Sequence, residues 1–289
     1  AFRILGASVK EDGNKYTITA EELVGGRIYL DMPSVGATIN TMLASVLAHG
    51  TTIIENAAKE PEIVSVATFL NNMGAKIRGA GTSYITIEGV SKLGSCFTEV
   101  IPDRIEAGTY IIAGALLGKN LTVSNIIPSH VDALLSKLKD MGCDLIIGDD
   151  YVTISRVDSL KPVHVKTLGY PGFPTDLQQP FTVLLALANG TSTLEETIYE
   201  NRFKNVPYLV KMGADIKIVD KKLYINGVSS LNGESVVATD LRAGACMILA
   251  GLVAKGTTTI TSIEHVLRGY ENIIVKLQNV GAKIELEEI

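Results

Sequence analysis

Four short segments place charged or hydroxyl residues where a run of small and apolar residues begins: Asp31-Met32-Pro33-Ser34, Pro102-Asp103-Arg104, Pro174-Thr175-Asp176 and Ala238-Thr239-Asp240-Leu241-Arg242. Ser, Thr and Asp at a helix start accept hydrogen bonds from its orphan N–H groups, each worth about 1 kcal/mol. Ser34 and Asp103 read first as caps of this kind. The same starts can also do chemistry, because free N–H groups and the positive dipole end attract anions. Arg104 and Arg242 add planar forks suited to carboxylate or phosphate, so the expected ligand is a phosphorylated or carboxylated small molecule. Asp176 differs in having no cation beside it in sequence. A carboxylate at a positive cleft can accept a proton from a substrate hydroxyl, with capping as the alternative reading.

Other candidates read more plainly. Arg268, in Leu267-Arg268-Gly269-Tyr270-Glu271, is a surface arginine by default, although its place in the chain brings it near Arg242. Glu60-Pro61-Glu62 opens an amphipathic helix with Pro in the first turn. His49, His130, His164 and His265 share no metal-ligand spacing. Gly79-Ala80-Gly81 precedes a strand, where a dinucleotide-binding loop needs a helix. Cys143 and Cys246 read as structural rather than nucleophilic, and three cysteines without a Cys-x-x-Cys support neither a disulfide framework nor a zinc site.

The elements that must position these residues recur. An apolar residue, a glycine and a small residue return at Leu5-Gly6-Ala7, Met73-Gly74-Ala75, Met141-Gly142-Cys143, Met212-Gly213-Ala214 and Val280-Gly281-Ala282. The glycines are spaced by 68, 68, 71 and 68 residues (74−6, 142−74, 213−142, 281−213). Amphipathic helical patterns precede them, such as Ile63, Val66, Ala67 and Leu70, so each glycine sits where a helix end wants a left-handed residue. Alternating stretches follow, Lys76-Ile77-Arg78 and Tyr84-Ile85-Thr86-Ile87, which predict a β-hairpin. Upstream in each unit lies a helix apolar on every face and therefore expected to be buried: 36–48, 107–117, 177–188 and 241–254. A strand follows it, as in Gly50-Thr51-Thr52-Ile53-Ile54. The predicted unit is strand, buried helix, strand, amphipathic helix, hairpin. Parallel buried helices would bring their starts to one side of each domain.

Composition sets the bounds. With 289 residues, 46% apolar and 20% charged, the chain can fill two domains. A net charge of -5 argues against a general role on nucleic acid or a membrane surface. The apolar runs are far shorter than the roughly 20 residues that span a bilayer. The first seven residues show no signal-peptide pattern, and a cytoplasmic location is expected.

Taken together, the motifs resemble the enolpyruvyl transferases, in the branch that acts on UDP-N-acetylglucosamine. The match runs through Ser34-Val35-Gly36-Ala37-Thr38, Glu55-Asn56-Ala57-Ala58-Lys59-Glu60-Pro61-Glu62, Pro102-Asp103-Arg104-Ile105-Glu106-Ala107-Gly108-Thr109, Phe173-Pro174-Thr175-Asp176, Glu200-Asn201-Arg202-Phe203, Ala238-Thr239-Asp240-Leu241-Arg242-Ala243 and Arg268-Gly269-Tyr270-Glu271. The branch acting on shikimate 3-phosphate shares the fold and differs in these motifs. The resemblance implies an α/β, two-domain inside-out barrel of repeated units, with buried parallel helices surrounded by sheets. Residues 1–100 would form a partial first domain of one full repeat and a tail, and 101–289 a nearly complete second domain of three repeats.

It also implies a reaction, the first committed step of peptidoglycan synthesis: the sugar 3-hydroxyl adds to C2 of phosphoenolpyruvate through a tetrahedral intermediate, and phosphate leaves. Asp176 and Asp240 would be the catalytic carboxylates, Asp176 at the hydroxyl as base or positioner and Asp240 nearby. Arg242 and Arg268 would hold phosphoenolpyruvate. Ser34, Val35 and the backbone of Ile198 would meet UDP-N-acetylglucosamine, with Glu60 and Arg104 bordering the cleft. Met32 stands where some relatives carry a lysine. No metal or organic cofactor is implied, and oligomeric state is left open. The family's N-terminal third, which carries a Lys-Asn pair, an arginine and a loop proton donor, has no counterpart here. The chain alone is therefore expected to be inactive, and its first domain to expose apolar surface. A non-catalytic descendant of the fold is the rival reading, and retention of Asp176, Arg242 and Arg268 speaks against it.

Overall fold

The computed structural model describes residues 1–200 and 202–287, so Asn201 of the Glu200-Asn201-Arg202-Phe203 motif lies outside the described residues. The chain forms two compact units, Ala1–Ile101 and Pro102–Ile289. Residues 89–103 carry no helix or strand.

The first unit opens with a hairpin of β1 (Ser8–Asp12) and β2 (Lys15–Thr19). One repeat follows: β3 (Arg27–Tyr29), α1 (Val35–Ser45), β4 (Thr51–Glu55), α2 (Pro61–Asn72), β5 (Lys76–Arg78) and β6 (Tyr84–Glu88). The sheet order is β3-β4-β6-β5, with β3 parallel to β4 across α1 and the remaining pairs antiparallel.

The second unit contains α3 (Arg104–Leu117), β7 (Leu121–Ser124), α4 (Asp132–Asp140), β8 (Leu145–Ile147) and β9 (Tyr151–Ile154). Next come β10 (His164–Lys166), α5 (Thr175–Ala186), β11 (Thr191–Glu195), α6 (Val206–Lys211), β12 (Asp215–Val219) and β13 (Lys222–Asn226). The chain continues through β14 (Ser235–Val237), α7 (Leu241–Val253), β15 (Thr259–Thr261), α8 (Glu264–Leu267) and α9 (Ile273–Asn279). The sheet β10-β11-β13-β12 repeats the strand order of the first unit. The flanking copies are shorter: β7-β9-β8 lacks the leading parallel strand, and β14-β15 lacks the hairpin among the described residues.

Helices α3, α5 and α7 pack on one another, with the sheets around them. Ten of the 12 residues of α5 are buried. Strands such as β13 instead alternate buried Leu223 and Ile225 with outward-facing Tyr224. This is the helix-inside, sheet-outside arrangement expected of the fold, built from separate open sheets among the described residues. The repeat glycines also behave as their spacing predicts. Gly6, Gly74, Gly142, Gly213 and Gly281 all have φ between +92° and +102°, the left-handed conformation that ends a helix.

The first unit departs from expectation at α1. Its buried residues are Thr38, Thr41, Met42 and Ser45, while Leu43 is 49% exposed and Leu47 54%. The expected burial on every face holds for α3, α5 and α7 and fails here. Within its unit α1 packs on α2, β4 and β6, which cover one side of it.

A recurrent close approach locks the β5–β6 and β12–β13 hairpins to the end of the first helix of their repeat, α1 or α5. Gly89 and Gly227 follow the closing strands β6 and β13, and a Cβ on either would land on a helix-end carbonyl oxygen, that of Ala48 or Ala188. Both N–H groups are committed to the ladder, Gly89 to the Gly50 carbonyl at 2.9 Å and Gly227 to that of Gly190 at 3.0 Å. Gly227→Ala is therefore expected to destabilise by about 3 kcal/mol, the upper range for overpacking, because the obstacle is backbone. Urea unfolding of the full-length protein checks this. Gly36→Ala, where a Cβ meets nothing within 4 Å, is the matched control.

Candidate active site

The four helix starts divide into caps and one exception. Ser34 Oγ accepts from the Ala37 N–H at 3.3 Å, and Asp103 Oδ1 from those of Ile105 and Glu106 at 2.7 and 3.2 Å. Asp240 Oδ1 accepts from the Arg242 and Ala243 N–H groups at 2.9 and 2.8 Å. Helix α5 begins at Thr175 behind Pro174 and has no side-chain cap. Its Asp176 lies one residue inside the helix and turns to cations instead.

Two arginines converge on it. Arg202, on the segment between β11 and α6, donates from Nη2 to Asp176 Oδ1 at 2.7 Å. Arg242, in the first turn of α7, donates from Nη2 to Oδ2 at 2.9 Å. Both guanidinium side chains are nearly buried, 13% and 14% exposed, against 35% for the carboxylate. Arg242 Nη1 also reaches the Tyr270 hydroxyl at 3.4 Å, which stands 3.0 Å from that of Thr109 on α3. Arg202 Nη1 donates to Thr175 Oγ1 at 3.2 Å. The three helices thus share one polar cluster.

Burial alone would raise the Asp176 carboxyl. The Arg242 and Arg202 guanidiniums outweigh it and hold the group below its ordinary value. Burial likewise pushes the Tyr270 phenol up, against the pull of Arg242 and Thr109. The sign for stability follows from the depressed carboxyl: its contribution is fully present above the unfolded-state value of about 3.9 and fades as pH falls through the folded one. Urea midpoints should thus show the advantage of the parent over Asp176→Asn as constant above about pH 5 and shrinking below about pH 4.

One sequence expectation needs correction, and the other candidates take the places described next. Asp176 is not a lone carboxylate, since its two cations arrive from 26 and 66 residues further along the chain. Arg242 is engaged by that carboxylate. Asp240 spends one oxygen on capping. Of the Ile198 backbone, the N–H donates to Glu196 Oε1 at 2.8 Å. Arg268 follows α8 and is exposed, and the ion pairs to Asp176 are made by Arg202 and Arg242. Arg104 opens α3 with its guanidinium 5.8 Å from the centre of the Tyr170 ring. Ser34, Val35 and Glu60 lie in the first unit, where Val35 opens α1 and Glu60 precedes α2 without capping it. Sequence reasoning missed Arg202, Tyr270 and Glu196. Arg202 and Tyr270 stood inside motifs that carried the family resemblance.

No cluster of His, Cys, Asp and Glu among the described residues is arranged to hold a metal ion. Burial pushes the Cys246 thiol up to about 12 and that of Cys143 to about 11, so neither is a thiolate at neutral pH. No helix among the described residues is long and apolar enough to cross a membrane.

Residues 1–277 match the EPSP synthase (3-phosphoshikimate 1-carboxyvinyltransferase) family. Over its full length the chain is 54% identical to proteins named UDP-N-acetylglucosamine 1-carboxyvinyltransferase 2 from Geobacillus kaustophilus and Bacillus subtilis, and it covers 67% of each. Among solved structures, the enolpyruvyl transferase NikO from Streptomyces tendae superposes with a TM-score of 0.88 at 28% identity, covering 98% of this chain and 70% of that one. The EPSP synthase from Acinetobacter baumannii has a TM-score of 0.75 at 22% identity, covering 99% and 70%, and shares the fold.

Proposed function

The chain belongs to the UDP-N-acetylglucosamine 1-carboxyvinyltransferase branch of the EPSP synthase family, and from that membership we propose that its site transfers enolpyruvate to the 3-hydroxyl of UDP-N-acetylglucosamine. The observation that carries this reading is the Asp176 carboxylate, held at a helix start by Arg202 and Arg242 without serving as a cap. A carboxylate placed to receive a hydroxyl proton and an arginine placed to receive an anion are the two groups this addition needs.

In this reading the sugar hydroxyl gives its proton to Asp176 as its oxygen bonds to C2 of phosphoenolpyruvate. The C2=C3 double bond takes up a proton at C3 from the loop donor that the family resemblance assigns to the N-terminal third. The tetrahedral adduct then expels phosphate and gives up a C3 proton to form the enol ether. Asp176 accepts the hydrogen bond of the attacking hydroxyl. With two guanidiniums on it, it orients that hydroxyl well but takes its proton poorly. An incoming phosphate or carboxylate competes for Arg242, and a carboxylate left with Arg202 alone is the stronger base. The site would thus gain basicity when the second substrate arrives. Arg268, exposed after α8, and Asp240 are assigned to the same cleft on the family resemblance. The product would feed peptidoglycan precursor synthesis.

Phosphate release by the full-length protein, with phosphoenolpyruvate and either UDP-N-acetylglucosamine or shikimate 3-phosphate, tests the proposal. Release with the sugar nucleotide alone is expected. Release with shikimate 3-phosphate instead would move the chain to the other branch, and release with neither would leave the Asp176 cluster as a structural ion network.

A further inference from the structure

Glu196 follows β11 and is 3% exposed, yet the partners that fill its carboxylate are neutral donors. Oε1 accepts from the Thr167 hydroxyl at 2.9 Å and from the N–H groups of Ile198 and Tyr199 at 2.8 and 2.9 Å. Oε2 accepts from the Thr175 hydroxyl at 2.8 Å. A buried carboxylate is costly unless such donors satisfy it, and a carboxylate rather than a neutral group is needed to accept four bonds and donate none.

The last of these bonds has a direction that matters. Because Thr175 gives its only hydroxyl proton to Glu196, its oxygen presents lone pairs to Arg202 Nη1. Arg202 is then fixed at both ends of its fork, Nη1 on Thr175 and Nη2 on Asp176, with its face 5.0 Å from the centre of the Tyr199 ring. The same carboxylate holds the Ile198–Tyr199 turn through its two N–H groups.

We propose that Glu196 is a positioning residue for the chemistry at Asp176, acting through the Thr175 hydroxyl and Arg202. The inference rests on the reading of Asp176 given under Proposed function. Glu196→Gln keeps the shape and brings an NH2 group that must face either Thr175 or the two backbone N–H groups. In the first case it turns the Thr175 proton toward Arg202, and in the second it sets donor against donor. Thr175→Val removes the hydroxyl at nearly constant volume, whereas Thr175→Ser retains it.

The test is steady-state phosphate release by the full-length protein, with active-site concentration and thermal midpoint measured in parallel. Thr175→Val should lower kcat per active site between about tenfold and a hundredfold, the range for misplacement of a catalytic group, with KM for both substrates within about threefold. Thr175→Ser should recover most of that loss. Glu196→Gln should fall as far as Thr175→Val, and the double variant no further than Glu196→Gln alone, because both cut one line of contacts. Unchanged kcat per active site in Thr175→Val, or equal losses in the Ser and Val variants, overturns the proposal; the Thr175 pair decides it even if Glu196→Gln fails to fold. A parent protein that turns over while Thr175→Val matches it refutes only this inference. A parent that releases no phosphate refutes the reading beneath it.

Discussion

Asp176→Asn should lower kcat for phosphate release by about a thousandfold, within the span of about 10²–10⁴ that general acid–base groups contribute. Asparagine preserves the outline of the side chain but cannot carry the charge that two nearly buried guanidiniums meet at 2.7 and 2.9 Å. Two separable losses follow. The attacking hydroxyl loses its anionic acceptor, which appears in kcat. The arginines lose their counter-charge, which appears in stability, because removing one partner of a buried pair leaves the other uncompensated. The Michaelis constants carry the diagnostic signature. Arg242 no longer has Asp176 to compete with a substrate anion, so KM for phosphoenolpyruvate should stay constant or fall as kcat collapses. A general loss of structure would raise both constants or reduce the active fraction. A kcat within tenfold of the parent, measured with the full-length protein at saturating substrates, would remove Asp176 from the chemistry.

The architecture was legible because it is local and repeated. The left-handed glycines at 6, 74, 142, 213 and 281 follow from helix-end physics, and the apolar faces of α3, α5 and α7 announce burial. The site was legible only in part, and Thr175-Asp176 against Thr239-Asp240 shows why. The two dipeptides are identical in sequence. Behind Pro174 the helix starts at Thr175 and carries Asp176 within its first turn, whereas α7 starts after Asp240 and leaves that residue as the cap, at φ -161°. A shift of two residues in the helix start turns one carboxylate toward the backbone and the other toward arginines. Nor does any period encode which arginines arrive, since Arg202 and Arg242 meet Asp176 through tertiary packing alone. Burial of α1 failed for a related reason: pattern reports which faces are apolar, not which of them its own unit covers.

Arg242→Lys should raise KM for phosphoenolpyruvate by about thirty- to a hundredfold, the equivalent of about 2–3 kcal/mol for a charge-assisted, two-pronged contact. Charge is conserved in this substitution, so the effect isolates geometry. The guanidinium spans Asp176 Oδ2 at 2.9 Å and the Tyr270 hydroxyl at 3.4 Å, and it lies 5.9 Å from the centre of the Tyr270 ring. A lysine ammonium is a single, strongly hydrated point on a flexible stem and cannot hold both partners while turning to an anion. Only Arg202 would remain anchored to the carboxylate at full strength, so Asp176 should regain basicity and kcat should fall far less than KM rises. Tyr270→Phe supplies the graded comparison. It removes the 3.4 Å partner and the bond to Thr109 while leaving the Arg242–Asp176 pair intact, and its KM should lie between parent and Arg242→Lys. If Arg242→Lys leaves KM for phosphoenolpyruvate within about threefold of the parent, the guanidinium serves Asp176 and Tyr270 alone, and anion binding must be assigned elsewhere.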